Sequence, residues 1–381
     1  MEARLPAMLA DSEKLVGCES PSAVLDAVAR SADVVAATGR QYLGTAPERL
    51  VIDGRTHLRW RFGEGPARVL LLAHHDTVWP LGSTDTHPFS VADGIMRGPG
   101  TVDMKAGLVL GWHALAVLGV PDGVTLLVTG DEEVGSPSSR GLIEAEAAGC
   151  LAAFVLEGSA PDGSVKTERK GTSLYQVRAI GRAQHAGNQP ELGVNATIEL
   201  AHQVLAVSAI ADPARETTVT PTALASGTTT NTVPGTGAFA VDVRAWDAAE
   251  QERVDAAMRS LRAVLPGAVL EVTGGPNRAP LAASASAALF ARACSVAAEL
   301  GLPPLTSARV GGGSDGNFTA GVGTPTLDGL GAVGGGAHAD DEHVLVAELP
   351  RRAALLAALI DDVLADASAG LTATGEKRSG A

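Results

Sequence analysis

Three stretches decide the fold class: ARVLLLAHHD (67–76), VTLLVTGDEE (124–133) and AAFVLE (152–157). Each is a short run of apolar residues of the length of one strand, without the polar alternation of a half-exposed strand. Such runs suit the central strands of a sheet covered on both faces. Each ends directly in imidazole or carboxylate groups, and chemistry at the carboxyl ends of buried strands is the usual geometry of open α/β sheets. An α/β catalytic domain follows, with polar clusters delivered to one sheet edge.

The chain of 381 residues exceeds what one hydrophobic core usually fills, so two domains are expected. Helical spacing marks the N-terminal segment to about Arg40, and residues 105–118 read as a helix. From Thr172 the pattern changes to strands (SLYQVRAIG, GAFAVDVRAW, AVLEVTG) separated by helical stretches. These predict an inserted α+β lid or dimerisation domain over 172–277, between a first catalytic part, 1–171, and a second, 278–367. The tail, 368–381, lacks periodicity and is expected to be unstructured.

With 29 Lys and Arg against 43 Asp and Glu, the net charge of -14 argues against nucleic acid and anionic membrane as partners. Three scattered cysteines without a C-x-x-C pair read as reduced thiols. No apolar signal core opens the chain and no run is long enough to span a bilayer, so a cytoplasmic location is expected.

Hydrolytic zinc takes His nitrogen and carboxylate oxygen. The candidates at strand ends and in Gly-rich loops are His74, Asp103, Glu133, Glu157 and His338, with His343 a rival to the last. Singly, each has an ordinary reading. The H-x-D at 74–76 could be a polar surface loop, Asp103 a helix cap, the acidic triplet 131–133 a solvated turn, Glu157 a strand-end acid, and His338 a loop histidine.

Order and spacing together resemble the zinc peptidase family that includes glutamate carboxypeptidase, aminoacylase, acetylornithine deacetylase and succinyl-diaminopimelate desuccinylase. The motifs carrying the resemblance span nearly the whole chain: LLLAHHDTVWP, GPGTVDMKAG, TGDEEVGS, FVLEGS, GRAQHAGNQPELGVNA, TNTVPGTGAFAVDVR, GGGSDGN and GAHADDEHV. The resemblance implies two Zn²⁺, with Co²⁺ or Mn²⁺ also compatible with such ligands. His74 and Glu157 are implied to hold one ion, Glu133 and His338 the other, and Asp103 to bridge them. Asp76 would orient His74 and Glu132 would serve as general base. In the inserted domain, His185 is implied to stabilise the oxyanion, often across a homodimer, and Asn231 to make a second oxyanion or substrate contact. Arg244 is implied to grip a substrate carboxylate, with Arg278 and the GGGSDGN loop completing that pocket. Met104 stands where the family often has a second Asp.

Glu at position 157 is associated in the family more with carboxypeptidases and deacylases than with aminopeptidases. With Arg244, this implies a small-molecule substrate with a free carboxylate. HAGNQPELGVNA and GGGSDGN are most similar to the glutamate carboxypeptidase branch, with acetylornithine or succinyl-diaminopimelate deacylation as the alternative. A non-catalytic binding or dimerisation protein of the same fold is the alternative of another class.

Overall fold

A computed structural model describes residues 1–375. The chain divides into two compact units: Met1–Glu168 with Ala283–Arg309 and Ser314–Ala381, and Arg169–Ala282 with Val310–Gly313.

The first unit is built on a six-stranded sheet in the order Glu48–Ile52, Arg55–Phe62, Val124–Thr129, Val69–His74, Ala152–Val155, Thr326–Leu327. The last four strands run parallel; the first two are added at one edge through antiparallel pairings. Every residue of the strands Val69–His74, Val124–Thr129 and Ala152–Val155 is buried. The two faces explain why these runs are apolar throughout. Val69, Leu71 and Ala73 face one cluster, which also contains Leu15, Val35, Leu108, Trp112, Leu356 and Ile360 from four helices: Leu5–Gly17, Leu25–Leu43, Ala106–Val117 and Leu349–Gly375. Leu70, Leu72 and Leu127 join a second cluster with Ile143 and Ala147 of the helix Arg140–Ala147 and with Phe318 of Gly316–Gly321. Helices on both faces of a mostly parallel sheet make a three-layered α/β domain. The helix Ala106–Val117 is apolar on all sides and almost wholly buried, as such a helix must be.

Two differences from the sequence reading concern the ends. The strands Glu48–Ile52 and Arg55–Phe62 carry charges between their apolar residues and give no apolar run to find. The stretch 368–381, expected to be unstructured, continues the last helix as far as Gly375, and its remainder lies outside the described residues.

The second unit carries a four-stranded antiparallel sheet in the order Thr218–Ser226, Thr236–Ala245, Gly171–Ile180, Val269–Arg278. Alternation puts Tyr175, Val177, Phe239, Val241 and Val243 on one face, packed with Leu200, Val207, Val254 and Met258 of the helices Ala196–Ser208 and Ala248–Ser260. Side-chain caps start both helices. Asn195 Oδ1 accepts from Thr197 N at 2.9 Å, and Asp247 Oδ1 accepts from Glu250 N at 2.8 Å.

Candidate metal centre

The register of the first sheet places the site. Val69–His74 pairs with both neighbours, Leu72 lying opposite Val155 and His74 opposite Thr129. Two residues past Val155, Glu157 reaches the level of His74, and the chain after Thr129 turns at once through Gly130 into Asp131, Glu132 and Glu133. Adjacent parallel strands thus deliver their polar ends side by side.

Two clusters of potential ligand atoms lie there: His74, Asp103 and Glu157, and Asp103, Glu133 and His338. Within each, the ligand atoms are all within 4.8 Å of one another, and Asp103 belongs to both. His74 Nε2 lies 3.2 Å from Asp103 Oδ1 and 3.6 Å from Glu157 Oε1. His338 Nε2 lies 3.2 Å from Asp103 Oδ2 and 3.1 Å from Glu133 Oε2. His343 is turned elsewhere, its Nδ1 on the carbonyl of Asp341 at 2.8 Å.

The electrostatics are those of a site that wants cations. Burial works against a charged His74, but the carboxylates of Asp103, Asp76 and Glu157 around it raise its pKa well above the ordinary value. Asp103 and Glu133 lift His338 to about 10. Burial and the nearby Asp103 push Glu133 up to about 7, while Asp103, despite its burial, is held low by the two imidazoles. Glu133 Oε1 is buried with no hydrogen-bond partner among the described residues. A buried acceptor without a donor, beside converging carboxylates and imidazoles, fits a pair of divalent ions.

The surrounding shell is specific. His74 Nδ1 donates to the backbone carbonyl of Asp76 at 3.0 Å, so the neutral ring that a metal requires would present the Nε2 lone pair toward Asp103 and Glu157. The Asp76 carboxylate, expected to orient His74, stands 3.5 Å from Nδ1. It accepts from the backbone N–H groups of Glu132 and Glu133, both at 3.2 Å, and from Ser22 Oγ at 2.6 Å. Asp76 thereby positions the turn that carries both glutamates. Of the acidic triplet, Asp131 is spent on structure, accepting from the amides and hydroxyls of Ser138 and Ser139. The Sδ of Met104 accepts from His74 N at 3.3 Å.

Sequence reasoning missed Glu342. Its buried carboxylate accepts from Val102 N (2.8 Å), Asp103 N (3.1 Å), Gly100 N (2.8 Å) and Trp79 Nε1 (2.7 Å), so it holds the backbone that presents Asp103. It lies within Asp340-Asp341-Glu342, where only depth separates it from two solvated neighbours. Asp315 of GGGSDGN was missed likewise. Its carboxylate accepts from Thr129 Oγ1 at 3.1 Å and from Ser136 Oγ, pinning both ends of the acidic turn.

The other predicted residues belong to the second unit. His185 and Asn231 come together on a two-stranded ribbon, where Ala186 N donates to Asn231 O at 2.8 Å. His185 Nδ1 accepts from Gly187 N and Asn188 N at 3.0 and 3.1 Å, so the neutral ring carries its proton on Nε2. Arg244 and Arg278 lie in one register row, on either side of Thr172. Arg244 forms a two-pronged pair with Asp242, at 2.8 and 2.9 Å. Gly312 and Gly313 of the GGGSDGN loop also fall in this unit, their carbonyls accepting from Arg169 Nη1.

A parallel α/β sheet with His and carboxylate groups gathered at its carboxyl edge defines a metallohydrolase class. The sequence model of Peptidase family M20/M25/M40 matches residues 70–362, and the chain belongs to that metallopeptidase family. It is similar to carboxypeptidase G2 of Pseudomonas sp. (strain RS-16), 33% identical over 94% of this chain and 89% of that protein. It is also similar to a succinyl-diaminopimelate desuccinylase of Methylorubrum extorquens, 31% identical over 77% and 82% of the two chains. In fold it matches a metallo-carboxypeptidase of the M20 family from Sulfolobus solfataricus, with a TM-score of 0.73 at 17% identity over 94% and 98% of the two chains. A tripeptidase of Staphylococcus aureus matches with a TM-score of 0.71 at 21% identity over 95% and 98%.

Proposed function

We propose that this hydrolase cleaves an amide bond next to a free carboxylate, on peptides ending in glutamate or on N-acyl amino acids, with two zinc ions bound at the paired clusters. The observation that carries the reading is the sharing of Asp103 between two three-residue ligand sets. Its closeness to carboxypeptidase G2 over nearly the full chain supports the substrate class. Bound there, the pair of ions supplies Lewis acidity for the scissile carbonyl and lowers the pKa of a water.

The chain's own residues do the rest. His74 and Glu157 serve one ion, Glu133 and His338 the other, and Asp103 both. Glu132, fixed by its backbone bond to Asp76, takes the proton of the attacking water and returns it to the leaving nitrogen. His185 donates from Nε2 to the developing oxyanion, with Asn231 beside it. Arg244 binds the substrate carboxylate through its planar fork, displacing Asp242, and Arg278 supports that pocket. Homodimerisation through the inserted domain and a cytoplasmic location complete the proposal. Among the described residues, no helix is long and apolar enough to cross a membrane.

A second reading, diamino-acid deacylation, is favoured by the desuccinylase relative. The deciding experiment compares kcat/KM for N-acylglutamates and glutamate-terminated dipeptides with that for acetylornithine and succinyl-diaminopimelate. Preference for the glutamate compounds supports the first reading, and preference for the diamino compounds replaces it with the second.

A further inference from the structure

His57 lies on the strand Arg55–Phe62, belongs to neither candidate metal cluster and is fully buried. Leu58 pairs with Val128, so His57 stands level with Thr129, where the neighbouring strand ends and the acidic turn begins. Its ring meets that turn twice. Nδ1 accepts from Gly130 N at 3.2 Å, and Nε2 lies 3.1 Å from Ser138 Oγ. Burial lowers the pKa of His57 despite Asp131 and Asp76 nearby, so the ring is neutral. A neutral ring that accepts on Nδ1 carries its proton on Nε2 and donates it to Ser138 Oγ. The Ser138 hydroxyl in turn donates to Asp131 Oδ2 at 2.6 Å.

A serine, a histidine and an aspartate in contact could be read as a nucleophilic triad. The direction of the bonds argues otherwise: Nε2 is already protonated and cannot take the hydroxyl proton, and all three residues are buried. What the chain of bonds does is hold backbone. Gly130 has no room for a side chain, since a Cβ there would stand 2.5 Å from the carbonyl oxygen of Thr56 and 2.9 Å from His75 Nε2. Asp76 holds the amides of Glu132 and Glu133, and His57 holds the amide just upstream of Asp131. Glu133 is located as well by the cluster it joins, its Oε2 lying 3.1 Å from His338 Nε2, so a loosened turn displaces Glu132 first.

We propose that His57 is a positioning residue for the hydrolysis: it holds the Gly130 amide through Nδ1 and thereby sets the place of the Glu132 carboxylate. This rests on the reading of Glu132 as the general base.

The test uses the zinc-loaded full chain and the N-acyl amino acid that the wild type hydrolyses fastest. His57→Asn, His57→Gln and His57→Leu are compared for kcat, KM, bound zinc and thermal unfolding. Asn can accept from Gly130 N with Oδ1 in place of Nδ1, the longer Gln reaches Ser138 in place of Nε2, and Leu replaces neither. In the Gln and Leu variants kcat should fall at least about tenfold, toward the roughly hundredfold that a misplacement of about 1 Å costs, with KM and bound zinc within about twofold. His57→Asn should keep kcat within about threefold of the wild type. A merely structural role would lower the unfolding temperature without this order in kcat. Wild-type kcat in folded His57→Leu, an Asn variant no better than the Gln variant, or loss of folding in all three overturns the proposal; if His57→Leu alone fails to fold, the contrast of Asn with Gln decides. Glu132→Gln, assayed alongside, separates the two failures. If it keeps kcat, the base assignment falls; if it loses kcat while His57→Gln does not, the base stands and the positioning role alone falls.

Discussion

Replacing Glu342 with Gln should weaken metal binding although residue 342 touches no candidate ligand side chain. The carboxylate receives four donors, two per oxygen: Val102 N and Asp103 N on Oε1, Gly100 N and Trp79 Nε1 on Oε2. An amide has one oxygen, so whichever way it sits, two donors face an NH₂ group. At about 1.5–3 kcal/mol for each charge-assisted bond lost, the gross cost is roughly 3–6 kcal/mol. Part is returned because burial already raises the pKa of Glu342 and its charge need no longer be desolvated, leaving a net loss of about 2–3 kcal/mol. Three of the four donors belong to the segment 100–103, which carries Asp103, the residue both ligand clusters share. Metal affinity should therefore fall about 10–100-fold, the usual effect of losing an outer-shell partner. Competition with a chromophoric chelator measures it, and thermal unfolding of the metal-free protein measures the structural part separately. Wild-type affinity for both ions in a folded Glu342→Gln protein would refute the reasoning.

Gly107→Ala puts a Cβ 1.9 Å from the carbonyl oxygen of Leu156, backbone against backbone, so the residue before Glu157 must move. A loss of about 1–3 kcal/mol in stability and of one metal per chain is expected, and unchanged metal content by elemental analysis would contradict it. Asp242→Asn removes the charge from a partly exposed partner of Arg244, so stability should change by less than about 1 kcal/mol. KM for carboxylate substrates should fall a few-fold with kcat unchanged; a rise in KM would mean that Asp242 orients Arg244 for the substrate rather than competing with it. His75 is buried between Ser31 Oγ and the Thr56 carbonyl, and burial lowers its pKa from 6.5 to about 4. Between these values the unfolded chain binds the extra proton, so this contribution is complete above pH 6.5 and falls by about 3 kcal/mol toward pH 4. Denaturant unfolding of wild type and His75→Gln across that range should show a shallower pH slope in the variant; parallel slopes would disprove the assignment.

Much of this was legible in the sequence because buried parallel strands write themselves as unbroken apolar runs, and the runs at 69, 124 and 152 end in the groups that the fold gathers. The inserted sheet was legible through alternation at Thr236–Ala245 and Gly171–Ile180. The strand Thr218–Ser226 was not, because it is exposed along most of its length and contains Pro221. Residues whose role depends on depth within a polar cluster were also hidden. Asp131 and Glu342 sit in acidic runs beside solvated or ligand-type neighbours, and nothing in their chemistry says which carboxylate turns inward to hold backbone N–H groups.

The most direct test is elemental analysis of the purified protein, with hydrolysis of N-acylglutamates and glutamate-terminated dipeptides followed before and after chelation. The account predicts about two zinc-type ions per chain, matching the two clusters that share Asp103, with activity lost on chelation and restored by added zinc. Hydrolysis that persists in chelated, metal-free protein, or a chain that takes up no metal and cleaves nothing after zinc is supplied, would contradict it.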